Sequence, residues 1–584
     1  MALSRGARFI LTFIVMAATV SIGGVVAMYL LAGQGPEVRS GSVLWLRVPY
    51  NLSENVRDDL VGQLMFGRRD TVGSVVDALR KAKVDDRVQA VVLIPPLQEG
   101  LWGKVQEIRS AVLDFKESGK PVVAYLEYGS GQQFYLATAA DEVYMTPTSS
   151  LDLIGVASYD LFLRGALDKA GVHPDMLHAG DFKTASNLYT ETTYTVEHRE
   201  MSESLNRDLY DQLVSGIAEG RSLTEADVRR LIDEGPFLPD EAVTNGLIDG
   251  LLYEDQLGER LPLSDGAQYD LTFAEYQQLD ATSLGLNSGP QVAVIYAVGT
   301  INLGASGVDV AGSEVVGSGA MVKAIRAARD DPSIRAIVVR IDSPGGAAIA
   351  SDIIWRELDL ARREKPVIAS MSDVAASGGY YIAAPAHAVV AQPGTITGSI
   401  GVVAGKLAYG DTLEKFGVNV GTVTDGEMAG MNSPFTPYSD ETRARVQEQI
   451  DAVYETFLKR VADGRGMLID DVHAIAQGRV WTGRQAKALG LVDELGGMRK
   501  AVAVAKQRAG IDADQEVTLV PFPRPRSFFE VLNTEFSVRS MLSSWLASPA
   551  DRLKAAATLP MRLFRPGEPL ALMPPPLLPS GASW

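Results

Sequence analysis

The chain has no cysteine among its 584 residues. This absence excludes disulfide bonds, thiol catalysis and metal sites with cysteine ligands, but it does not indicate a cellular compartment. Histidine is scarce, with 5 residues, and neither a His-Glu-x-x-His pattern nor a cluster of acidic residues with histidine occurs, so we expect no metal ion and no cofactor. Acidic residues outnumber basic ones, and the formal net charge of −18 argues against nucleic acid as a partner.

The amino-terminal region contains one long uncharged stretch, residues 9–32. This stretch is long enough to cross a bilayer core of about 30 Å as a helix. Arg5 and Arg8 precede it and favour a cytoplasmic start. A cleaved signal peptide is the alternative, because Ala27 and Ala32 are compatible with a cleavage site. We predict a cytoplasmic amino terminus, a transmembrane anchor and a linker, over residues 1–8, 9–32 and 33–44.

The body of the chain repeats itself with an offset near 246 residues (336 − 90; 380 − 134; 400 − 154). A period of this length indicates a duplicated domain rather than a solenoid. Five pairs of segments resemble each other: Asp86–Ile94 and Pro332–Arg340, Lys120–Ala124 and Lys365–Ala369, Phe134–Ala140 and Tyr380–Ala386, Ile154–Val156 and Ile400–Val402, Gly246–Asp249 and Gly490–Asp493.

Each copy alternates short runs rich in Val and Ile with helical stretches such as Ala348–Arg363 and Glu441–Val461. This alternation predicts an α/β fold built from βαβ units. The boundary between the copies should lie near Asn287–Pro290, just before a predicted strand over Gln291–Tyr296. We therefore predict an N-terminal α/β repeat, a C-terminal α/β repeat and a proline-rich tail, over residues 45–287, 288–520 and 521–584.

The tail carries seven Lys or Arg residues and four Asp or Glu residues in an otherwise acidic chain. With its apolar side chains, it could lie on a membrane surface or on a partner subunit. A partly ordered surface tail is the alternative interpretation.

Small residues surround Ser377 in the stretch Ser370–Tyr381. A predicted strand, Pro366–Ala369, precedes them, and a run compatible with a helix, Tyr380–Ala386, follows. Ser377 should therefore lie at a strand-to-helix corner, beside free backbone N–H groups. Such a corner suits a nucleophilic hydroxyl and the stabilisation of an oxyanion. The alternative is a glycine-rich turn with a helix-capping serine.

The two copies differ where chemistry would need them to differ. The second copy reads Asp342-Ser-Pro-Gly-Gly346 where the first reads Pro96-Leu-Gln-Glu-Gly100. Paired glycines can aim backbone N–H groups into a cleft. Conversely, Gly180-Asp-Phe-Lys183 in the first copy matches Gly426-Glu-Met-Ala429 in the second (429 − 183 = 246). A lysine in one copy and a serine in the other predict one site assembled from both halves, although Ser130 lies near the counterpart of the serine.

The motifs together resemble the family of signal peptide peptidase A, also called protease IV, in its long tandem-domain bacterial form. The resemblance extends from the predicted anchor to about Val520 and implies two tandem domains of the superfold shared by Clp proteases and crotonases. The motifs that carry it are Gly180–Lys183, Ser343–Gly346, Met371–Tyr381, Thr397–Gly401, Gly478–Gly483 and Gly490–Asp493.

The resemblance implies a serine–lysine dyad, with Ser377 as nucleophile and Lys183 as general base. The backbone N–H groups of Gly346 and Gly378 would form the oxyanion hole, and Ser399 would orient the lysine amine. A lysine is protonated at neutral pH and cannot then accept a proton. Burial of Lys183 in a cleft with little water would lower its pKa and remove this obstacle.

The resemblance also implies substrates, assembly and location. The substrates would be hydrophobic peptides, chiefly cleaved signal peptides, and the assembly a homo-oligomer, a tetramer in the long form. The chain would cross the bacterial inner (cytoplasmic) membrane once, with its catalytic domains on the periplasmic side. Asp373 and Val374 depart from the small residues or methionine that the family usually has there, and this departure bears on substrate preference.

Three other functions fit parts of the sequence. An acyl-CoA enzyme related to crotonase would use a similar oxyanion hole without a serine nucleophile, and a non-catalytic membrane scaffold could use duplicated domains for assembly. A Ser-His-Asp hydrolase is a third alternative, but no Gly-x-Ser-x-Gly elbow surrounds Ser377. If Lys183 were not the base, His178 would be the next candidate.

Overall fold

The computed structural model describes Met16, residues 37–50, 52–54, 70–96, 100–261, 269–309, 313–524 and 569–573, and the backbone of residues 578–579. Apart from Met16, the predicted anchor over residues 9–32 lies outside the described residues. Within the described part of the chain, no helix combines the length and the apolar character that a membrane span requires.

The first half of the chain alternates strands and helices, with three short 3-10 helices at Thr184–Ser186, Glu254–Arg260 and Ala281–Leu284. Its elements are β1 (Ser42–Arg47), α1 (Val72–Val84), β2 (Val88–Ile94), α2 (Trp102–Lys116), β3 (Val122–Leu126), β4 (Gly129–Ser130), α3 (Gly131–Ala137), β5 (Glu142–Met145), β6 (Leu151–Asp152), β7 (Ser158–Tyr159), α4 (Arg164–Ala170), β8 (His173–Ala179), α5 (Asn187–Thr190), α6 (Val196–Arg221), α7 (Glu225–Glu234), α8 (Pro239–Thr244), β9 (Gly250–Leu251), β10 (Tyr269–Thr272) and α9 (Phe273–Tyr276).

The second half follows the same alternation, and the helices and the strand predicted at residues 348–363, 441–461 and 291–296 are confirmed. Its elements are β11 (Gln291–Val298), β12 (Thr300–Asn302), β13 (Gly307–Val308), β14 (Glu314–Gly317), α10 (Ser318–Asp330), β15 (Ile334–Ser343), β16 (Gly345–Ala347), α11 (Ala348–Arg362), β17 (Val367–Ala376), α12 (Gly378–Ala383), β18 (Ala388–Ala391), β19 (Ile396–Gly398), β20 (Val402–Ala408), α13 (Gly410–Lys415), α14 (Asp440–Arg465), α15 (Ile469–Ile475), β21 (Val480–Thr482), α16 (Gly483–Ala488), β22 (Glu494–Leu495), α17 (Met498–Arg508) and β23 (Thr518–Phe522). Two strands from the tail complete the order, β24 (Leu570–Leu572) and β25 (Leu578–Pro579).

Each half is built on its own largely parallel sheet. The first sheet has the order β10-β1-β2-β3-β5-β9, and all of its pairs are parallel. In the second sheet, β23, β11, β15, β17, β18 and β22 follow the same parallel order, and β19 and β21 extend it beside the end of β17. Helices cover these sheets. The strands with a layer of helices on each side are continuous apolar runs, as buried parallel strands usually are.

The duplication is visible in individual contacts. The N–H of Val143 donates to the carboxylate of Asp249 at 2.7 Å, and the N–H of Val389 donates to the carboxylate of Asp493 at the same 2.7 Å. The two strand residues lie 246 positions apart (389 − 143) and the two aspartates 244 (493 − 249). Both copies therefore use one aspartate to accept the N–H of the second residue in the equivalent strand.

A third sheet joins the two halves. Its order is β13-β14-β12-β16-β24-β20-β8, and β8 from the first half pairs antiparallel with β20 from the second. The register runs from His173↔Ala408 to Ala179↔Val402. The chain that leaves β8 therefore emerges beside the second half, where the Ser377 corner lies.

A buried ionic cluster also ties the halves together. The Arg340 guanidinium donates to Glu54 at 2.7 Å and to Glu107 at 2.6 Å, and the Ser372 hydroxyl also donates to Glu54. Burial raises the pKa of the Glu54 carboxyl, but Arg340 outweighs burial and holds this pKa below its ordinary value. The cluster is stable because every charge in it has an opposite charge as a direct neighbour.

We predict that Arg340→Met lowers the free energy of unfolding by about 3–5 kcal/mol, because it leaves two buried carboxylates without their cation. Urea-induced unfolding of the purified chain would measure this loss. Arg356→Met is the control, since Arg356 is 55% exposed in its side chain and should change stability by about 0.5 kcal/mol or less. Equal losses for the two variants would contradict a structural role for the cluster.

Candidate active site

Ser377 stands where β17 ends and α12 begins. Its backbone has φ 54° and ψ −112°, a region that residues with a side chain rarely adopt. The Ser377 N–H donates to the carbonyl of Gly398 at 2.8 Å, which helps to hold this conformation. Backbone strain of this kind concentrates at functional sites. The serine thus lies at the strand-to-helix corner that the sequence predicts.

Two glycines after Ser377 allow neighbouring chain segments to approach closely. A Cβ on Gly378 would stand 2.6 Å from the hydroxyl oxygen of Ser351. A Cβ on Gly379 would stand 2.6 Å from the carbonyl oxygen of Ser343. Side chains at either position would displace β15 or α11, so the glycines are needed for packing around the serine.

Lys183 follows β8 in a turn that is clamped against the second half. Gly180 has φ 102°, and a Cβ on it would stand 2.4 Å from the carbonyl carbon of Gln477. The Phe182 N–H donates to the Gln477 carbonyl at 2.8 Å. A Cβ on Gly478 would stand 2.5 Å from the Cα of Lys183. These close contacts explain the glycines in both motifs and fix the origin of the lysine side chain.

The Lys183 amine meets the two serines that the sequence singles out. Its Nζ lies 2.8 Å from Ser377 Oγ, 2.9 Å from the carbonyl oxygen of Ser399 and 3.0 Å from Ser399 Oγ. The side chain is 1% exposed, and burial lowers the pKa of Lys183 well below its ordinary value. Asp181, two residues earlier, is exposed to solvent and does not offset this effect.

Ser399 owes its position to an uncommon backbone conformation. Its φ is 53°, and its N–H donates to the carbonyl of Arg479 at 2.7 Å. This conformation turns both the carbonyl and the hydroxyl of Ser399 towards the Lys183 amine. A neutral amine has two N–H donors and one lone pair. The two oxygen acceptors of Ser399 match the two N–H donors, and the hydroxyl of Ser377 matches the lone pair.

The paired glycines at 345 and 346 form β16 and lie against the Ser377 corner. Gly345 has φ 101°, and a Cβ on it would stand 2.7 Å from the backbone nitrogen of Gly378. Gly346 has φ 153°, and a Cβ on it would stand 2.1 Å from the carbonyl oxygen of Ile301. The predicted N–H donors, Gly346 and Gly378, are therefore on adjoining segments. Gly345, which the sequence analysis did not assign a role, makes this approach possible.

Asp373 has a clear structural place. It is buried, and its carboxylate accepts the backbone N–H of Lys104 at 2.8 Å. The Lys104 ammonium lies 3.3 Å from Asp373 and 2.8 Å from Asp342. Burial raises the pKa of Asp373 to about 6, against the opposing charge of Lys104. Asp373 thus anchors α2 of the first half to the serine strand, and the adjacent Val374 packs with the apolar side chains beside the site.

Two other residues considered from the sequence serve elsewhere. Ser130 caps α3, where its hydroxyl accepts the N–H of Gln133 at 3.3 Å, and its φ of −76° is unstrained. His178 is exposed, and its ring nitrogen Nδ1 lies 3.0 Å from the carbonyl oxygen of Gly180. The structure brings Lys183, Ser377 and Ser399 together and gives Ser130 a capping role.

The chain is similar to known peptidases along most of its length. The family model described as Peptidase family S49 matches residues 114–266 and 359–512. "Serine protease SPPA, chloroplastic" of Arabidopsis thaliana is 34% identical over 496 residues, which cover 84% of this chain and 72% of that protein. "Protease 4" of Haemophilus influenzae is 30% identical over 505 residues, which cover 83% of this chain and 81% of that protein.

The two family matches begin 245 residues apart (359 − 114), which agrees with the offset of the internal repeat. Together they cover more than half of the chain, and one includes Lys183 while the other includes Ser377 and Ser399. The chain therefore belongs to peptidase family S49 and is a serine protease.

Proposed function

We propose that this protein is a membrane-anchored endopeptidase that degrades hydrophobic peptides, chiefly cleaved signal peptides, through an acyl-enzyme on Ser377. The observation that carries the proposal is the buried Lys183 amine, which lies 2.8 Å from the serine hydroxyl and has no acidic partner among the described residues. Membership of a peptidase family favours this reaction over the acyl-CoA enzyme and the scaffold that fit parts of the sequence.

The proposed reaction begins with neutral Lys183. Its lone pair accepts the proton of the Ser377 hydroxyl while Oγ attacks the peptide carbonyl carbon. The carbonyl and hydroxyl oxygens of Ser399 accept the two N–H bonds of the amine and keep the lone pair directed at Ser377. The N–H groups of Gly346 and Gly378 stabilise the oxyanion. Lys183 then protonates the leaving amine, and water hydrolyses the ester.

Sheet geometry supports an extended peptide as the substrate. β16 and β20 are not neighbours in the third sheet, because one strand position separates them beside the candidate site. An extended peptide can fill such a position with backbone hydrogen bonds on both sides. The surrounding side chains are apolar and include Met176, Tyr189, Val403 and Leu407, which suits a hydrophobic peptide.

The membrane anchor and the assembly are further parts of the proposal. Residues 9–32 would hold the protein in the bacterial inner membrane with the catalytic domains on the periplasmic side, close to signal peptides left in the bilayer. A homotetramer is supported by exposed apolar side chains between α13 and α14, which need a partner. They are Phe416, Val418, Val420, Val423 and Met428. We also infer that both halves share the superfold of Clp proteases and crotonases.

We predict that Ser377→Ala and Lys183→Met each lower kcat/KM for a hydrophobic peptide ester by at least about 10³-fold, because nucleophile and base act as a unit. Ser399→Ala should cost about 10–100-fold, since the amine keeps its position but loses one acceptor. Steady-state hydrolysis with the purified chain would measure these losses.

Two variants serve as controls for these losses. Ser130→Ala removes the counterpart serine of the first half, and Lys81→Met removes another lysine that is 1% exposed. Both should keep kcat/KM within about threefold of the wild type, since neither residue touches the candidate site. If Lys183→Met kept wild-type activity while Ser377→Ala lost it, the base would have to be another group.

We predict that kcat/KM rises with pH through the pKa of Lys183, which lies below the ordinary value of 10.5, because only the neutral amine accepts a proton. Between the folded and unfolded pKa values the unfolded chain binds more protons. The stability of the wild type relative to Lys183→Met should therefore rise with pH in that window, by at most about 1.4 kcal/mol per pH unit.

Activity profiles and urea unfolding between about pH 5 and pH 10 would check both expectations. Lys183→Arg is the matched control, since a guanidinium stays protonated and should be inactive throughout the range. A flat activity profile in the wild type, or parallel stability curves for wild type and Lys183→Met, would contradict a neutral buried lysine.

We predict that deletion of residues 1–32 moves the protein from the membrane fraction to the soluble fraction of expressing bacteria, because the apolar span is lost. The deleted form should still sediment as a tetramer, because its exposed apolar surface remains. Fractionation and sedimentation velocity would measure both. If the undeleted chain were instead recovered as a soluble protein without residues 1–32, these residues would be a cleaved signal peptide.

A further inference from the structure

A lysine of the first half reaches two strands of the second half that lead to the candidate site. Lys104 is the third residue of α2, and its ammonium lies 2.8 Å from Asp342 and 3.3 Å from Asp373. Asp342 precedes Gly346 by four residues (346 − 342), and Asp373 precedes Ser377 by four residues (377 − 373). One cation therefore binds both the strand before the oxyanion donor and the strand of the nucleophile.

The two aspartates lie at an irregularity in the pairing of β15 with β17. Ile341 pairs with Met371, and the next pair is Ser343 with Ala375. One residue of β15 therefore faces three residues of β17, and we refer to residues 342 and 372–374 together as the bulge. A bulge bends a strand and redirects the residues beyond it. Beyond this one lie the nucleophile corner at the end of β17 and the paired glycines that follow β15.

The side chain of Asp342 replaces a backbone bond that the bulge interrupts. Its Oδ1 accepts the Val374 N–H at 3.1 Å, and its Oδ2 faces the Lys104 ammonium. Its own carbonyl accepts the Gly299 N–H at 2.9 Å, which fixes the residue on the side of β11. The carboxylate thus connects β15 to β17 where the ladder is open. Lys104 supplies the opposite charge that a carboxylate with only 14% of its side chain exposed needs.

Asp373 fixes the position of Lys104 in return. The residue before α2 is Leu101, whose side chain cannot cap the helix, and Asp373 of the second half accepts the Lys104 N–H at 2.8 Å instead. A Cβ on Gly103 would stand 2.7 Å from the carbonyl oxygen of Ser372, so the start of α2 lies directly against the bulge. These contacts keep the lysine beside both aspartates.

We propose that Lys104 is a positioning residue of the active site, which holds the bulge in the shape that sets Gly346 and Ser377 relative to each other. It acts through Asp342 and Asp373 rather than on the reacting atoms. The inference rests on the proposed protease function and gives the first half a second contribution to the site, besides the general base. An ion pair that only joined the halves would stabilise the fold without affecting the rate of the folded enzyme.

The charges around Asp373 give this role a pH signature. Among the described residues, Lys104, Asp342 and Glu54 face its carboxyl group, and Glu54 is itself paired with Arg340. With Lys104 present, the pKa of Asp373 is about 6. Without Lys104, burial and the neighbouring carboxylates raise this pKa further. Above the raised pKa the two aspartates repel each other across the bulge, whereas below it a proton removes the repulsion.

Lys104→Met is therefore expected to lower kcat for the hydrophobic peptide ester by about 10–100-fold at about pH 8, with KM within about threefold of the wild type. The loss relative to the wild type should shrink as the pH falls towards about 6, because the repulsion disappears. Lys104→Arg keeps a cation at the bulge and should retain kcat within about fivefold. Steady-state hydrolysis by the purified full chain between about pH 6 and pH 9 would measure these values.

A double variant separates the effect of charge from a loss of packing. Asp373→Asn removes one of the two opposed carboxylates, so Lys104→Met should cost at least about tenfold less in kcat in this background than in the wild type. Urea unfolding shows which samples are folded, and the double variant should fold even where Lys104→Met alone does not. Lys116→Met is the control. Lys116 lies on the same helix, pairs with Asp141 at 2.9 Å and should leave kcat within about threefold at every pH.

Three results would overturn the inference. They are an effect of Lys104→Met on kcat that is absent or equal at every pH, a double variant as impaired as Lys104→Met, and a Lys104→Arg variant no better than Lys104→Met. Any of them, with a wild type that hydrolyses the ester, would overturn this inference alone. A wild type inactive towards the ester would overturn the proposed function and the inference with it.

Discussion

The antiparallel pairing of β8 with β20 is the constraint on which the candidate site depends. Lys183 lies four residues after the end of β8 (183 − 179), and Ser399 lies three residues before the start of β20 (402 − 399). A shift of the register by one residue moves one strand by about 3.4 Å along the other. A slip of one residue would move the lysine amine out of hydrogen-bonding distance of Ser377, so one strand pair between the halves sets the geometry of the dyad.

Two cations at the contact between the halves are paired with carboxylates. Arg340 binds two carboxylates, and Lys104 binds Asp342 and Asp373. Lys183 is buried as fully as Arg340, and among the described residues its amine has serine oxygens as hydrogen-bond acceptors rather than carboxylates. The carboxylates beside Arg340 and Lys104 keep these two side chains charged and hold the halves together. Burial without an opposite charge instead favours the neutral form of the Lys183 amine. The same interface thus supplies both rigidity and a base.

The groove beside the site is an incomplete sheet. β16 and β20 each present backbone groups to the strand position between them, and unpaired edges of this kind readily accept an extended chain. β24 satisfies these groups with a segment of the same molecule. Exchange of that segment for a peptide would preserve the backbone hydrogen bonds, so side-chain fit would decide which chain occupies the groove.

The sequence by itself determined the α/β class, the duplication, helices such as α11 and α14 and the corner at Ser377, because periodicity and turn composition are local properties. The swapped lysine and serine, together with the family resemblance, predicted a site shared by both halves. Only the tertiary structure decided that Asp373 pairs with Lys104 and that Leu570–Leu572 pairs with β16. A strand of three residues has too short a pattern to recognise, and its partner lies 225 positions away (571 − 346), where pairing depends on the folded sheet rather than on neighbours in sequence.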